Sequence, residues 1–249
     1  MQTEEKKVVI VLPAYNAAKT LIRTLEEIPQ KYREHVLLVD DASKDNTVET
    51  AKQAGLTVFV HRKNRGYGGN QKTCYREALA MGAEIVVMLH PDHQYDAKVI
   101  PHMVLPLLEN EADAVFGSRM LGGRPLEGGM PWWKYVANVL LTATANLVFK
   151  RYLTEIHSGF RAYSRKYLQT VRLDENSDDF VFDTEIIAQG MGCNLTFQEV
   201  PIVTRYFPEA SSISFQRSVV YGFGILLVLL KFWLHNTGIK HFRQFEPQK

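Results

Sequence analysis

The stretch Ile85 to Asp96, IVVMLHPDHQYD, is apolar through Leu89 and then stops at a His-Pro-Asp-His-Gln cluster. β-Branched Ile85, Val86 and Val87, followed by Met88 and Leu89, suit a strand buried on both faces of a sheet. Pro91 ends the pairing, because it has no backbone N–H to offer a neighbouring strand. Ligands of open α/β sheets bind in the crevice beyond the carboxyl ends of the strands, so Asp92 and Gln94 are expected at that edge. A carboxylate and an amide one residue apart can supply part of the oxygen shell of a hard cation that also takes phosphate oxygens and water. Turns and helix caps use the same residues, so the rest of the chain must decide.

Outward from this stretch, further short apolar runs lie at Val8 to Leu12, Val36 to Asp40, Leu56 to Val60 and Ala114 to Phe116. Helical periodicity separates the early ones, over Ala18 to Ile28, Asn46 to Ala54 and Gln71 to Met81. Alternation of this kind predicts an α/β fold with a mostly parallel sheet flanked by helices. Polar or turn-forming residues follow each run: Pro13 to Asn16, Asp40 to Asp45, His61 to Asn70, His90 to Gln94 and Gly117 to Arg119. The alternation collects them along one sheet edge.

The 249 residues suffice for one large domain, or one domain with a C-terminal extension. A formal net charge of +2 gives no whole-molecule reason to expect nucleic acid. Cys74 and Cys193 stand far apart and in no metal-like spacing, so reduced thiols in a cytoplasmic setting are expected. The opening MQTEEKKVVIVLPAYN has too short an apolar run for a signal peptide and reads as a first strand.

Beyond Leu121 the alternation weakens. Gly122 to Pro131, GGRPLEGGMP, reads as a loop, and Trp132 to Phe149 as a long, very apolar helix. Val219 to Leu234 is a second apolar segment, shorter than the roughly 20 residues a spanning helix needs and interrupted by Lys231. Both carry aromatic and basic flanks, so they are expected either to lie at an anionic membrane surface or to pack in a core or oligomer interface. The boundaries that follow are 1–215 for a catalytic domain and 216–249 for a C-terminal apolar helix with a basic tail.

Asn64 to Thr73, NRGYGGNQKT, nearly matches a phosphate-binding P-loop, but Gln71 replaces the second required Gly. A helix opening after Gly68 and Gly69 could still direct backbone N–H groups at an anion.

Eight ordered motifs carry a resemblance: PAYN (Pro13 to Asn16), VDDASKDNT (Val39 to Thr47), NRGYGGN (Asn64 to Asn70), HPDHQ (His90 to Gln94), GSR (Gly117 to Arg119), SGFRAYSR (Ser158 to Arg165), FDTEI (Phe182 to Ile186) and VPIVTRY (Val200 to Tyr206). Over about residues 7 to 215 the chain resembles the family 2 inverting glycosyltransferases, most of all those using dolichyl or polyprenyl phosphate. The resemblance implies a GT-A fold, a Rossmann-like nucleotide-sugar-binding architecture. It implies that Pro13, Ala14, Tyr15 and Asn16 line the nucleotide pocket with Asp41 on the base, and that Arg205 lies near the donor diphosphate. Asp92 and Gln94 would face Mg2+ or Mn2+. Ser118, Arg119 and Arg161 would serve the acceptor, although an ion pair with a structural carboxylate is an equal alternative for Arg161. Glu185 would stand beside the reacting sugar, with Asp183 as a second acidic candidate.

Two positions depart from the family pattern. His90 replaces the first acid of Asp-x-Asp in the nucleotide-sugar site, and restoring Asp there is expected to preserve or improve activity. Glu155 stands where relatives have Asp.

The implied reaction moves a hexose, from a donor of GDP-mannose or UDP-glucose type, to a polyprenyl phosphate with inversion. An ionised phosphate acceptor needs no strong general base, whereas a hydroxyl acceptor would need Asp183 or Glu185 within reach. Two alternatives stay open: a family 2 transferase acting on a soluble glycan or small molecule, and a sugar-nucleotide-binding protein without catalysis. The expected location is peripheral, at the cytoplasmic face of the membrane. Oligomers are possible.

Overall fold

The computed structural model describes residues 6–122, 125–205 and 215–248. Residues 123 and 124 of the Gly- and Pro-rich loop, Tyr206 of the last motif and the first five residues of the N-terminal reading lie outside the described residues.

Seven strands form one sheet: β1 (Val8–Ala14), β2 (Val36–Asp40), β3 (Thr57–Val60), β4 (Ile85–Met88), β5 (Ala114–Ser118), β6 (Arg161–Ser164) and β7 (Phe197–Pro201), in the order β3-β2-β1-β4-β6-β5-β7. All neighbours run parallel except β6, which is antiparallel to both β4 and β5. β6 has no apolar run to betray it, since its sequence is only RAYS. Its register places Arg161 opposite Met88 and Phe116, so the segment before Arg161 arrives at the carboxyl ends of the parallel strands.

Side chains alternate across the sheet, as the two-residue repeat of a strand requires. Val9, Val11, Leu37, Val39, Val86 and Met88 enter one core, while Val8, Ile10, Leu12, Leu38, Ile85 and Val87 enter the other. Because both faces are covered, these strands read as unbroken apolar runs rather than as alternating ones.

The helices are α1 (Leu21–Glu27), α2 (Thr47–Gln53), α3 (Tyr67–Ala80), α4 (Ile100–Leu108), α5 (Arg119–Gly122), α6 (Trp132–Phe149), α7 (Arg165–Thr170), α8 (Phe182–Gly192) and α9 (Phe215–Asn236). α6 occupies the residues expected from the sequence and stops where Lys150 turns left-handed at φ 53°. α3 starts at Tyr67, a turn earlier than expected, because the glycines join the helix.

α9 corrects the expected length. It extends past the apolar run at both ends to 22 residues, and by length and composition 216–236 could cross a bilayer. Yet Ile225, Val228, Leu229 and Phe232 are buried in the core, with Phe232 edge-on to Phe149 of α6 at 5.1 Å. The helix therefore lies along the domain. The chain after it folds back: Phe245 is buried, Arg172 donates to the carbonyl oxygens of Glu246 and Pro247, and the Gln248 N–H donates to the Thr170 carbonyl.

Candidate active site

The loops after β1 and β2 brace one another at the expected edge. Asn16 adopts φ 52°, its Oδ1 accepts the Lys44 N–H at 2.8 Å, and its own N–H donates to Ser43 Oγ at 2.8 Å. Ala17 and Ala18 N–H groups donate to Thr47 Oγ1 and Asp45 Oδ2. Pro13 and Ala14 are buried at the end of β1, while Tyr15 stands half exposed at the rim. Asp41 is buried, and its carboxylate accepts the N–H groups of Arg65 and Gly66 and approaches His61 Nδ1 at 2.7 Å. Its side chain thus ties down the glycine-rich turn, a role its expected place at the base did not include. The neighbouring Asp40 gives Oδ2 to the Ser43 N–H, and its buried Oδ1 has no hydrogen-bond partner among the described residues. A buried oxygen left so is costly, which makes this strand end a place where a ligand N–H or O–H is favourably received.

The glycine-rich turn is not a phosphate cradle here. Gly68 and Gly69 N–H groups both donate to the Asp178 carbonyl, at 2.8 and 3.2 Å. Lys72 is buried, with Nζ on the Asn176 carbonyl and, at 2.8 Å, on Asp178 Oδ1. The expectation of free N–H groups fails because the 176–178 segment caps α3 itself.

At the end of β4, Asp92 Oδ1 accepts the Gln94 N–H at 3.1 Å in a tight turn, with His93 at φ 60°. The Gln94 carbonyl accepts the Arg205 N–H, and Tyr95 bridges to Thr204. This connection sets the segment after β7 beside the Asp92 turn. Arg205 itself pairs with Glu27 of α1 at 2.8 Å and lies 3.2 Å from His93 Nε2. Tyr95 is buried and accepts the Gly159 N–H on its hydroxyl.

The two acids of α8 part company. Asp183 is buried and joins the β4 edge: its Oδ2 accepts the Tyr67 hydroxyl at 2.8 Å, its Oδ1 accepts Gln71 Nε2 at 3.2 Å, and Arg161 Nη1 lies 3.4 Å from Oδ1. Glu185 faces elsewhere. Its carboxylate accepts the Ser177 N–H and Gln244 Nε2, the latter from the returning C-terminal segment. Residues two apart on a helix point about 200° apart, so Asp183 alone of the two joins the cluster at the β4 edge, while Glu185 meets the C-terminal segment.

Arg161 is buried at the start of β6. It donates to the carbonyl oxygens of Ser158, Ile156 and Asp183, and its guanidinium lies over the Phe116 ring at 5.2 Å. The structural carboxylate considered for it is Asp183.

Arg119 grips the fully buried Glu155 through its side chain and its backbone N–H, and Asn138 Nδ2 donates to the same carboxylate. Glu155 thereby orients Arg119. Ser118 Oγ lies 2.6 Å from Thr154 Oγ1, and Thr154 and Glu155 are held by Glu199 of β7. Arg119 lines a cleft of about 380 Å3 with Gly122, Pro125, Glu127, Ile202 and Thr204. Nearby, His157 Nδ1 is 3.4 Å from the Tyr221 hydroxyl of α9, and its buried Nε2 has no partner among the described residues. Burial first, then the positive charges of Arg119 and Arg161, push its pKa down to about 3.

Among the described residues no group of three or more His, Cys, Asp or Glu could hold a metal. The Asp92 edge fits a different kind of site, in which one carboxylate and the substrate's phosphate oxygens share a hard cation. Tyr67 escaped the sequence reading. Tyr67 sits inside a glycine-rich turn that reads as backbone machinery, and nothing in one sequence couples it to Asp183.

The glycosyl transferase family 2 pattern matches residues 9–172. An uncharacterized protein of Methanocaldococcus jannaschii is 31% identical over 92% of this chain and 93% of its own length. The UDP-N-acetylglucosamine–dolichyl-phosphate N-acetylglucosaminyltransferase of Methanococcus voltae is 26% identical over 91% of this chain and 96% of its own. An undecaprenyl-phosphate mannosyltransferase of Micrococcus luteus is 27% identical over 79% and 82%. In fold, the chain superposes on glucosyl-3-phosphoglycerate synthase of Mycobacterium tuberculosis, crystallised with Mn2+, uridine diphosphate and phosphoglyceric acid, with TM-score 0.67, 19% identity, and 92% and 78% of the two chains covered. With that GT-A architecture and a family pattern spanning most of its sheet, the chain belongs to glycosyl transferase family 2.

Proposed function

We propose that the protein transfers a hexose from a nucleotide diphosphate sugar to a polyprenyl phosphate, with inversion at the anomeric carbon. The observation that carries this reading is the state of the two α8 acids. Asp183 has both oxygens occupied by Tyr67, Gln71 and Arg161, and Glu185 has both occupied by Ser177 and Gln244. Neighbouring groups already engage both carboxylates, which disfavours either as the base for an attacking hydroxyl. A phosphate acceptor is already ionised near neutral pH and needs no such base. The relatives named for dolichyl-phosphate and undecaprenyl-phosphate transfer support the same acceptor class.

In this reading the β1 and β2 loops hold the nucleoside, with Tyr15 at the rim and Asp40 and Asn16 at the base of the pocket. Asp92 would hold a divalent cation, with Gln94 shaping the turn that presents it, and the cation would supply positive charge to the departing diphosphate. Arg205 reaches the same edge from the segment after β7 by exchanging Glu27 for phosphate oxygens. Arg119, pre-oriented by Glu155, receives the acceptor phosphate in the adjoining cleft, with Ser118 fixing the loop. Arg161 acts from behind, as the cation that steadies Asp183.

Peripheral membrane contact through 132–149 and 219–235 completes the proposal. α6 exposes Trp132, Leu140 and Leu147, and α9 exposes Val220, Phe223 and Leu227, although each helix also packs on the domain. Lys134, Lys150, Lys231 and Lys240, on or beside these helices in sequence, would supply positive charge for anionic lipid.

A panel of GDP-mannose, UDP-glucose and UDP-N-acetylglucosamine, with Mg2+, Mn2+ or chelator and with or without a polyprenyl phosphate, tests the reading. Transfer that needs both a divalent cation and the lipid phosphate is expected. Equal transfer to a soluble sugar without lipid would favour the glycan-directed alternative.

A further inference from the structure

Arg119 opens α5, a helix of only four residues, so its orientation has to come from neighbouring segments. Ser118 precedes the helix and is fully buried. Its Oγ accepts the N–H groups of Met120 and Leu121 at 3.2 and 3.1 Å and lies 2.6 Å from Thr154 Oγ1. The Thr154 hydroxyl in turn donates to Glu199 Oε1 at 2.7 Å. The same carboxylate accepts the N–H groups of Thr154, at 2.7 Å, and of Glu155, at 3.0 Å. Glu155 is the residue that grips Arg119 by side chain and backbone. Glu199 of β7 therefore reaches Arg119 by two routes: through Thr154 and Ser118 to the backbone of α5, and through Glu155 to the guanidinium.

The direction of the relay follows from its carboxylate end. Thr154 has one hydroxyl proton and gives it to Glu199, so its oxygen can only accept from Ser118. Ser118 then gives its own proton to Thr154 and its lone pairs to the two backbone N–H groups. Buried and fully engaged, Ser118 has no proton or lone pair left for an acceptor phosphate. What the relay delivers to the cleft is Arg119. β7 also bears on the rest of α5: the Ile202 N–H donates to the Ser118 carbonyl at 3.0 Å, and a Cβ added to Gly122 would run into Pro201.

We propose that Thr154 and Glu199 are positioning residues for Arg119, which hold its guanidinium and the backbone of α5 in the pose that receives the acceptor phosphate and touch neither substrate themselves. This role rests on the reading of Arg119 as the cation that meets that phosphate. It moves Ser118 from the acceptor to the frame behind it.

Thr154→Val keeps the branched shape and removes the hydroxyl, whereas Thr154→Ser keeps the hydroxyl. In steady-state transfer, Thr154→Val and Glu199→Gln are each expected to raise the acceptor KM about tenfold or more, as for loss of one hydrogen bond to a charged group. The donor KM and the metal activation constant should stay at wild-type values, and Thr154→Ser should keep the wild-type acceptor KM. A second measurement needs no turnover. The Arg119 Nε–H, assigned in 15N-edited NMR by its loss in Arg119→Lys, should exchange with solvent faster in Thr154→Val than in wild type or Thr154→Ser. Thr154→Val and Glu199→Gln break the relay at different groups, so either one that folds decides. A folded variant of the two with wild-type acceptor KM, or with wild-type Arg119 exchange, overturns the proposal, as does a Thr154→Ser enzyme that behaves like Thr154→Val. Arg119→Ala separates the two claims. If it leaves the acceptor KM unchanged, the acceptor reading of Arg119 falls and the positioning role with it; if it raises the acceptor KM while Thr154→Val does not, that reading stands and the positioning role alone is overturned.

Discussion

Asp92, Asp183 and Glu185 all read as functional acids in the sequence, and the structure gives them three different surroundings. Asp92 sits in an open turn at the strand edge, Asp183 inside a hydrogen-bonded cluster, and Glu185 against the returning C-terminal segment. Removing the carboxylate that meets the cation, by Asp92→Ala, should reduce metal-dependent transfer by 100-fold or more, within the range for loss of a transition-state charge stabiliser. Glu185→Gln should change transfer little and lower stability instead, read by urea denaturation, because its partners are the Ser177 N–H and Gln244. A different residue-scale effect belongs to His157. Its folded pKa is about 3, against about 6.5 unfolded, so between those values the unfolded chain binds the extra proton. Stability from this group is complete above about pH 6.5 and is lost as pH falls toward 3, at up to about 1.4 kcal/mol per pH unit. His157→Gln should flatten that acid limb in pH-dependent denaturation. Residue types and their order were legible, since the motifs named Asp92, Arg119 and Asp183. Their partners were not, because Glu155 for Arg119 and Tyr67 for Asp183 come from distant segments that only the fold brings together.

Among the elements, α3 and α8 are joined by the bonds of Tyr67 and Gln71 to Asp183 and by a close backbone approach at Gly68. A Cβ at Gly68 would lie 2.4 Å from the Ser177 carbonyl oxygen and 2.7 Å from Phe182 Cβ. Neither atom can move without shifting the start of α8. Gly68→Ala should therefore cost about 1–3 kcal/mol in urea denaturation, the usual cost of overpacking, and should disturb the Tyr67 to Asp183 bond. The long apolar strands were readable from the sequence because both faces of the sheet are covered. β6 was not, since four residues beginning with a buried Arg carry no strand pattern, and its place depends on Arg161 finding Asp183. The glycine-rich turn was recognised as unusual and set apart from a phosphate loop, but its tight helix–loop contact was not legible, because both uses require the same glycines.

At the scale of the whole molecule, the exposed apolar faces of α6 and α9 lie on helices that pack together and that reach Glu155 and His157 through Asn138 and Tyr221. The length of α9 was underestimated from the sequence, because its polar ends, such as Gln216 and Asn236, extend the helix without extending the apolar run. Wild-type protein should co-sediment with vesicles containing anionic lipid, and paired Leu140→Asp and Phe223→Asp substitutions should weaken that binding at least tenfold while leaving donor binding intact. Both changes lie on exposed side chains, so the fold should tolerate them. In the proposed reaction the acceptor brings its own ionised oxygen to a site where both α8 acids are already engaged. Its most direct measurement is transfer of radiolabelled hexose from the preferred donor to a polyprenyl phosphate, beside the matched polyprenol that differs only by the phosphate. Labelled lipid is expected from the phosphate and none from the alcohol; comparable labelling of the alcohol would mean that the site activates a hydroxyl acceptor itself.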